Sequence, residues 1–435
     1  MSSSSIVERT SDDGDRSQHE EINQRLNSFV AVDQTQTSTK LSQLVPDHQT
    51  FLQAAITLKN QVVEVTWKEK DKEMQAIDPT VYTGLMGTAF TCFNSYQLTR
   101  CHQDLLMCAD IVRTCAALAH TSSDLCRYVT FLSGRGGVYA LGAVIMNHME
   151  DHQSCSRFLD MFMKVAQEEA LPVGPEDGGF GMSYDLLYGR AGFLWAALFI
   201  KRHLGEEALS NDLLTPVVEA ILAGGRAGAS DNPSCPLMYR WHGTRYLGSA
   251  HGLAGILHVL LHFPLSGDDS EDVKKTLRYL MSKRFPESGN YPSSDGNPRD
   301  NLIQWSHGAT GVAITLCKAS QVFPDEREFR DGAIEAGEVV WKSGLVKKAG
   351  LADGVAGNAY AFLSLYKLTG EVVYVERAKA FASFLYHKGS EVANAEEYPG
   401  GTDHAYSLFL GLAGVACLFF DLLHPENSKF PGYEL

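Results

Sequence analysis

The feature that most constrains this chain is a glycine pair, Gly-x-x-Gly, that returns seven times inside apolar runs. The copies are Gly84/Gly87, Gly134/Gly137, Gly189/Gly192, Gly252/Gly255, Gly308/Gly311, Gly354/Gly357 and Gly411/Gly414. Successive pairs lie 46 to 63 residues apart, and recurrence at such a period marks one supersecondary unit used repeatedly. After each pair the sequence turns helical, as in GRAGFLWAALFIKRHL, HGLAGILHVLLHF and DGVAGNAYAFLSLYKLTG. Apolar residues cover more than one face there, which predicts helices buried nearly all round. Between them lie amphipathic stretches such as Ser270–Phe285 and Asp325–Gly344, with polar starts and one charged face, the profile of a helix half in water. No alternating β-branched run is bounded by hairpin-turn residues. The prediction is an all-α chain of seven helical hairpins. An open stack would need polar end repeats, yet the last repeat is as apolar as the middle ones, so the hairpins are expected to close into an α/α toroid (barrel) with inner and outer helix rings. Glycines at the inner helix starts are expected to let neighbouring backbones approach closely. They are also expected to leave N-terminal N–H groups bare, converging on a positive site at one mouth.

Composition narrows the function classes. The 435 residues are 44% apolar and 20% charged, a globular balance. Lys plus Arg number 37 against 52 Asp plus Glu, for a net charge of −15, which disfavours nucleic acid and acidic membranes as partners. Nine scattered cysteines contain no Cys-x-x-Cys and read as reduced, mostly buried thiols. The N-terminus lacks the basic start and apolar run of a secretory signal. Cytoplasmic residence is therefore expected, with nuclear location or peripheral membrane association as alternatives. Residues 1–41 are expected to be a flexible polar leader and 42–435 a single domain. A seven-helix membrane receptor is disfavoured because the longest apolar run, Ala405–Phe420, stops at Asp421, short of the roughly 20 residues a span needs.

Polar residues interrupt the apolar runs at the repeat starts: Asp185, Arg190, His251, His307, Asp353, Asp403 and His404. For any one of them the plain reading is a helix cap or a satisfied core group; recurrence at one place in several repeats points to a shared opening. His251 and His307 are the best catalytic or ligand candidates, since imidazole titrates near neutrality and binds zinc. Cys101, Cys108 and Cys115 read as a helical stripe, and His258 with His262 as helix packing. Asp353 with Asp403 would suggest sugar chemistry only by analogy of fold.

The strings YDLLYGRAG, MYRWHGTRYLGSAHGLAG, SGNYPSS, WSHGATG, GLADGVAGNAYAFLSLY and FPGYEL resemble the eukaryotic LanC-like proteins, relatives of bacterial lanthionine cyclases, from about Phe51 to Leu435. The resemblance implies a cytosolic α/α toroid of seven hairpins. It also implies a zinc ion at the mouth that activates a thiol for addition to a dehydroamino acid, with glutathione as donor. In the family the metal is held by the Cys of NYP-x-Cys and by adjacent Cys and His of Trp-Cys-His-Gly. Carried over residue by residue, those positions are Ser294, Ser306 and His307, so only the His is retained. Serine is a poor ligand that stays protonated. A further Gly-x-Cys-His-Gly motif reads GLADG, with Ala352 and Asp353, and a basic position falls on Asn301. His251 matches the family's Ala-His-Gly histidine, a general-acid candidate, and Asp185 falls on a family carboxylate able to orient it. Tyr188, Arg190, Trp241 and His242 belong to retained motifs. Tyr188, Trp241 and Asp353 are substrate-binding candidates. Arg190 and Arg135 are candidates to meet a substrate carboxylate, the alternative being an Arg that locks Asp185. The expectation is a LanC-like protein whose zinc site is degenerate and which carries no cofactor. It would bind glutathione or a modified peptide or protein in a regulatory or signalling role, with a signalling protein as further partner and little or no thiol addition. The alternative is a thioether-forming enzyme that adds glutathione to dehydroamino-acid-containing peptides.

Overall fold

Each Gly-x-x-Gly pair starts an inner helix. In the computed structural model, which describes residues 45–68, 77–121, 128–170, 183–232, 234–392 and 402–435, these are α2 (Leu85–Thr99), α4 (Arg135–His148), α6 (Arg190–Leu204), α8 (Leu253–Leu260), α10 (Ala309–Val322), α12 (Val355–Thr369) and α15 (Leu412–Asp421). The outer helices are α1 (His48–Val63), α3 (His102–Thr121), α5 (His152–Val165), α7 (Asn211–Gly228), α9 (Gly267–Ser282), α11 (Arg327–Ser343) and α13 (Val372–Val392). A single turn, α14 (Thr402–Ala405), precedes α15. The two amphipathic stretches singled out in the sequence become α9 and α11. The leader of residues 1–41 lies outside the described residues, and Asp47–Leu435 form one compact unit.

Each inner helix packs on the next, α2 on α4, α4 on α6, and so on to α12 on α15; α15 then packs on α2 and on α1, closing the ring. The fold is the predicted α/α toroid. Inner helices are buried almost throughout, whereas outer helices bury one face. Four outer helices are capped by side chains, Asp47, Asp151, Ser210 and Ser266, each accepting from a first-turn N–H. All seven inner helices are capped by the first glycine of their pair, with no side-chain bond.

The inner N-termini correct one expectation: their N–H groups are not bare. In five of the seven repeats the loop before the helix folds back over its first turn, so that the first helical N–H donates to a carbonyl seven residues earlier. These bonds run from Leu85 to Asp78 (2.9 Å), Arg135 to Tyr128 (3.0 Å), Arg190 to Ser183 (3.0 Å), Leu253 to Tyr246 (3.1 Å) and Val355 to Lys348 (2.9 Å). In the fifth repeat the acceptor is the Asn290 side chain, 2.9 Å from the Ala309 nitrogen. The glycines are required by this fold-back as well as by neighbouring repeats. A Cβ on Gly357 would lie 1.9 Å from the Leu351 carbonyl oxygen of its own loop, and one on Gly192 would meet both Leu186 O at 2.0 Å and Thr130 of the adjoining repeat at 2.7 Å.

The C-terminal FPGYEL segment fills the middle of the ring. The Tyr433 carbonyl accepts from Trp195 Nε1 of α6 at 2.8 Å and lies 3.0 Å from His258 Nε2 of α8. The Tyr433 hydroxyl lies 2.6 Å from that of Thr315 on α10 and 3.0 Å from that of Ser249. Burial pushes His258 down to about 3; as a neutral ring it carries its proton on Nε2 to donate to that carbonyl. His258 and His262 are thus packing groups, as read from the sequence. Of the three Cys predicted to form a stripe, Cys108 and Cys115 are buried on α3, whereas Cys101 precedes the helix and is exposed.

At the foot of α15, Asp421 accepts from the Tyr360 hydroxyl at 2.6 Å. Enclosure by protein pushes its carboxyl up from 3.8 to about 7, against the opposing pull of the Tyr360 bond. The folded chain therefore holds a proton there that an unfolded Asp has released, and stability falls as pH rises from about 4 to 7. Asp421→Asn, which still accepts from Tyr360, is expected to melt higher than the parent above pH 7 by about 1–3 kcal/mol in stability, with the gap shrinking toward pH 5. Thermal melts of both proteins across that range check the slope, and a gap that stays constant with pH would rule the ionisation out.

Candidate functional site

The loops that precede the inner helices meet at one end of the ring, and most are tied to their neighbours by backbone bonds. Tyr82 N donates to Leu132 O (2.8 Å), Phe131 N to Gly192 O (3.1 Å), Leu247 N to Ser293 O (3.0 Å), Ser306 N to Ala352 O (2.9 Å), Ala352 N to Phe409 O (2.9 Å) and Phe409 N to Tyr82 O (3.1 Å). This girdle joins every adjacent pair of repeats except the third and fourth, between whose loops no backbone bond occurs among the described residues. There the link is made by side chains: His251 Nδ1 lies 3.3 Å from Asp185 Oδ1. Asp185 is buried, and the same oxygen accepts from Leu187 N and Tyr188 N, each at 2.9 Å, while Oδ2 accepts from the Ser183 hydroxyl. A carboxylate held this firmly fixes the imidazole. With the proton on Nδ1 donated to Asp185, Nε2 is left free to accept one.

Aromatic rings line the path between the two candidate histidines. Tyr128 packs on Tyr188 (4.6 Å), Tyr188 on Trp241 (5.8 Å), Trp241 flat on His251 (3.9 Å), and Tyr246 on both His251 (5.8 Å) and His307 (5.7 Å). Burial first, then the charge of His251, pushes His307 down to about 4, so it is neutral at pH 7. Its Nδ1 is buried with no hydrogen-bond partner among the described residues. Asp353 sits next to this group: its Oδ2 accepts from Lys348 at 2.5 Å, and its charge, after burial, raises the Tyr82 hydroxyl. The other Asp353 oxygen is buried and unpaired among the described residues.

The segment Arg245–Gly248 draws the serines in. Tyr246 pairs with Ser294 in an isolated β-bridge, and Gly248 lies so close to Ser306 O that a Cβ there would come within 2.0 Å of it. The structure thus gathers Asp185, Tyr188, Trp241, His251, Ser294, Ser306, His307 and Asp353 at one mouth. Arg190 is placed differently. It is buried, its Nε donates to Ala170 O at 3.2 Å and its guanidinium lies over the Tyr184 ring. The side chain of Asp403 lies outside the described residues. Sequence reasoning missed Tyr128, Tyr246, Tyr82 and Lys348. Tyr82 and Tyr188 precede a first glycine by one or two positions, the one signal that was open to reading.

Zinc requires a softer donor set than the one present. Ser294 and Ser306 bring hydroxyls, and the Ser306 hydroxyl donates to Gln304 Oε1 at 2.9 Å. The described cysteines lie on or beside helices α2, α3, α5, α10 and α15 and at Cys235 between α7 and α8. Among the described residues no three His, Cys, Asp or Glu side chains are grouped to hold a metal. One imidazole and two hydroxyls do not fit the thiolate-rich site that the resemblance implies.

A closed ring of seven helical hairpins defines the α/α toroid class. The model for lanthionine synthetase C-like protein matches residues 75–435, and the chain belongs to that family. It is similar to LanC-like protein GCL1 of Arabidopsis thaliana, 64% identical over 89% of each chain. It is also similar to Glutathione S-transferase LANCL1 of Danio rerio, 34% identical over 82% of this chain and 85% of that one. Among solved structures it resembles nisin cyclase in fold, with a TM-score of 0.64, 14% identity, and 87% of this chain and 95% of that one covered. No helix among the described residues is long and apolar enough to cross a membrane.

Proposed function

We propose that the mouth is a binding pocket for glutathione or for a peptide carrying a modified residue, in a regulatory or signalling protein with little or no thiol-addition activity. The observation that carries this reading is the pair of hydroxyls, Ser294 and Ser306, beside His307 where a thiolate site would be needed. One imidazole and two hydroxyls do not make the donor set for the zinc ion that would deprotonate a thiol here near neutral pH. The run of rings from Tyr128 to His307 offers flat apolar faces to a peptide, and Lys348 a cation at the rim. The name of the Danio rerio relative, a glutathione S-transferase, supports glutathione as the thiol. In this reading residues 42–435 work as one domain in the cytoplasm, with 1–41 as its leader.

A second reading, addition of glutathione to dehydroamino acids, is favoured by one observation, the intact Asp185 and His251 pair. The two are separated by incubating the full chain with glutathione and a dehydroalanine peptide, with adducts counted by mass spectrometry. The expected result is saturable glutathione binding by calorimetry with adduct formation at the uncatalysed rate. Faster adduct formation that His251→Asn lowers about 100-fold would overturn the proposal in favour of the enzyme.

A further inference from the structure

The end of the ring opposite the mouth, where the inner helices terminate, holds a cavity of about 450 Å³ that the C-terminal FPGYEL segment helps to line. Part of its wall is aromatic: Phe93 of α2, Trp195 and Phe199 of α6, and Phe430 of the C-terminal segment. Three cations stand around it. Arg100 caps α2, Arg202 lies in the last turn of α6, and Lys429 precedes Phe430. None of the three has a carboxylate within ion-pair distance among the described residues. The side-chain carboxylates of the same walls are already engaged: Glu434 pairs with Lys367 at 3.0 Å, and Asp421 is bound by Tyr360. Burial and then the neighbouring Arg202 and Lys367 charges lower the Lys429 ammonium, against the smaller opposing pull of Asp421 and Glu434, so like charges are crowded there. Cations near helix C-termini offset the negative end of the dipole, which explains their sign. It does not explain the cavity beside them, whose volume falls in the range of small-molecule sites and whose aromatic residues are already buried in place.

We infer that this cavity binds a small aromatic carboxylate, its ring between Phe93, Phe199 and Trp195 and its anionic head against Arg202 and Lys429. The inference is independent of the proposed role of the mouth. The probe is 2-naphthoate, titrated into the full-length protein by calorimetry alongside the neutral 2-naphthalenemethanol. One site per chain is expected, with the alcohol at least tenfold weaker. Arg202→Gln with Lys429→Gln should weaken naphthoate at least tenfold and bring it level with the alcohol. The inference is overturned by an absence of saturable naphthoate binding, by an alcohol that binds as well as the acid, or by a double variant that retains the parent's affinity while melting lower. That last pattern would mean that the cations serve only the helix ends. The comparison of acid with alcohol uses the parent protein, so it decides the matter even if the double variant does not fold. Undiminished binding to Trp241→Ala locates the probe away from the mouth, and loss of binding there would overturn the assignment to this cavity.

Discussion

Replacing Ser294 and Ser306 together with Cys is expected to raise the zinc retained after exhaustive dialysis from a trace to about one ion per chain. The scaffold for the site is present without its sulfurs. Ser294 is held by its bridge to Tyr246, Ser306 is pressed against Gly248, and His307 follows it with a buried nitrogen that has no partner among the described residues. Two thiolates and an imidazole make a donor set that binds zinc with an apparent free energy of about 10 kcal/mol or more in small folded sites. The change should therefore exceed several orders of magnitude in affinity. Because metal bound only by the folded state stabilises it by mass action, the double variant should also melt higher with zinc than with a chelator, whereas the parent should not respond. Elemental analysis and paired melts read both effects. A parent that keeps stoichiometric zinc would refute the degenerate-site reading. A variant that gains none would show that the mouth differs in shape as well as in ligands.

The largest effect on folding is expected from Gly137→Ala. Alanine in a helix is ordinarily about 1 kcal/mol better than glycine, but a Cβ here would lie 1.9 Å from the Phe131 carbonyl oxygen and 2.9 Å from Val81 of the adjoining repeat. Phe131 N is itself bonded to Gly192 O in the girdle, so the loop cannot retreat without breaking a link between repeats. A cost above about 3 kcal/mol is expected, in the class of strain at a special backbone site, with loss of soluble protein as its extreme. Gly267→Ala, at the start of α9 with nothing within 4 Å, should be neutral or slightly stabilising. Urea unfolding of the two variants tests the contrast, and equal effects would mean that glycine is required at the pairs for some reason other than space.

Much of this architecture was legible because its causes are local. The seven pairs mark the seven inner helix starts to the residue, since each glycine is demanded by a loop only six residues away: Gly137 by Phe131 and Gly357 by Leu351. Amphipathic stretches marked α9 and α11 within three residues. The same local reasoning misjudged the inner N–H groups, because nothing in a helical pattern reveals that the preceding loop returns to accept them. The site was half legible. Asp185, His251 and His307 stood out by their recurrence at repeat starts, but Tyr246 and Tyr128 looked like ordinary loop aromatics.

What the sequence determined by itself is the repeat, its helical character and the replacement of the thiolate ligands by Ser294 and Ser306, since these depend on residue type and on contacts within one unit. Only the tertiary structure decided that Asp185 and His251, 66 residues apart, complete the girdle at its one open junction. It alone placed Tyr433, whose carbonyl meets Trp195 across 238 residues, in the middle of the ring. It alone turned Arg190 inward, onto Tyr184. Those outcomes depend on which repeats become neighbours when the ring closes, and a residue's type does not say which partner closure will bring to it.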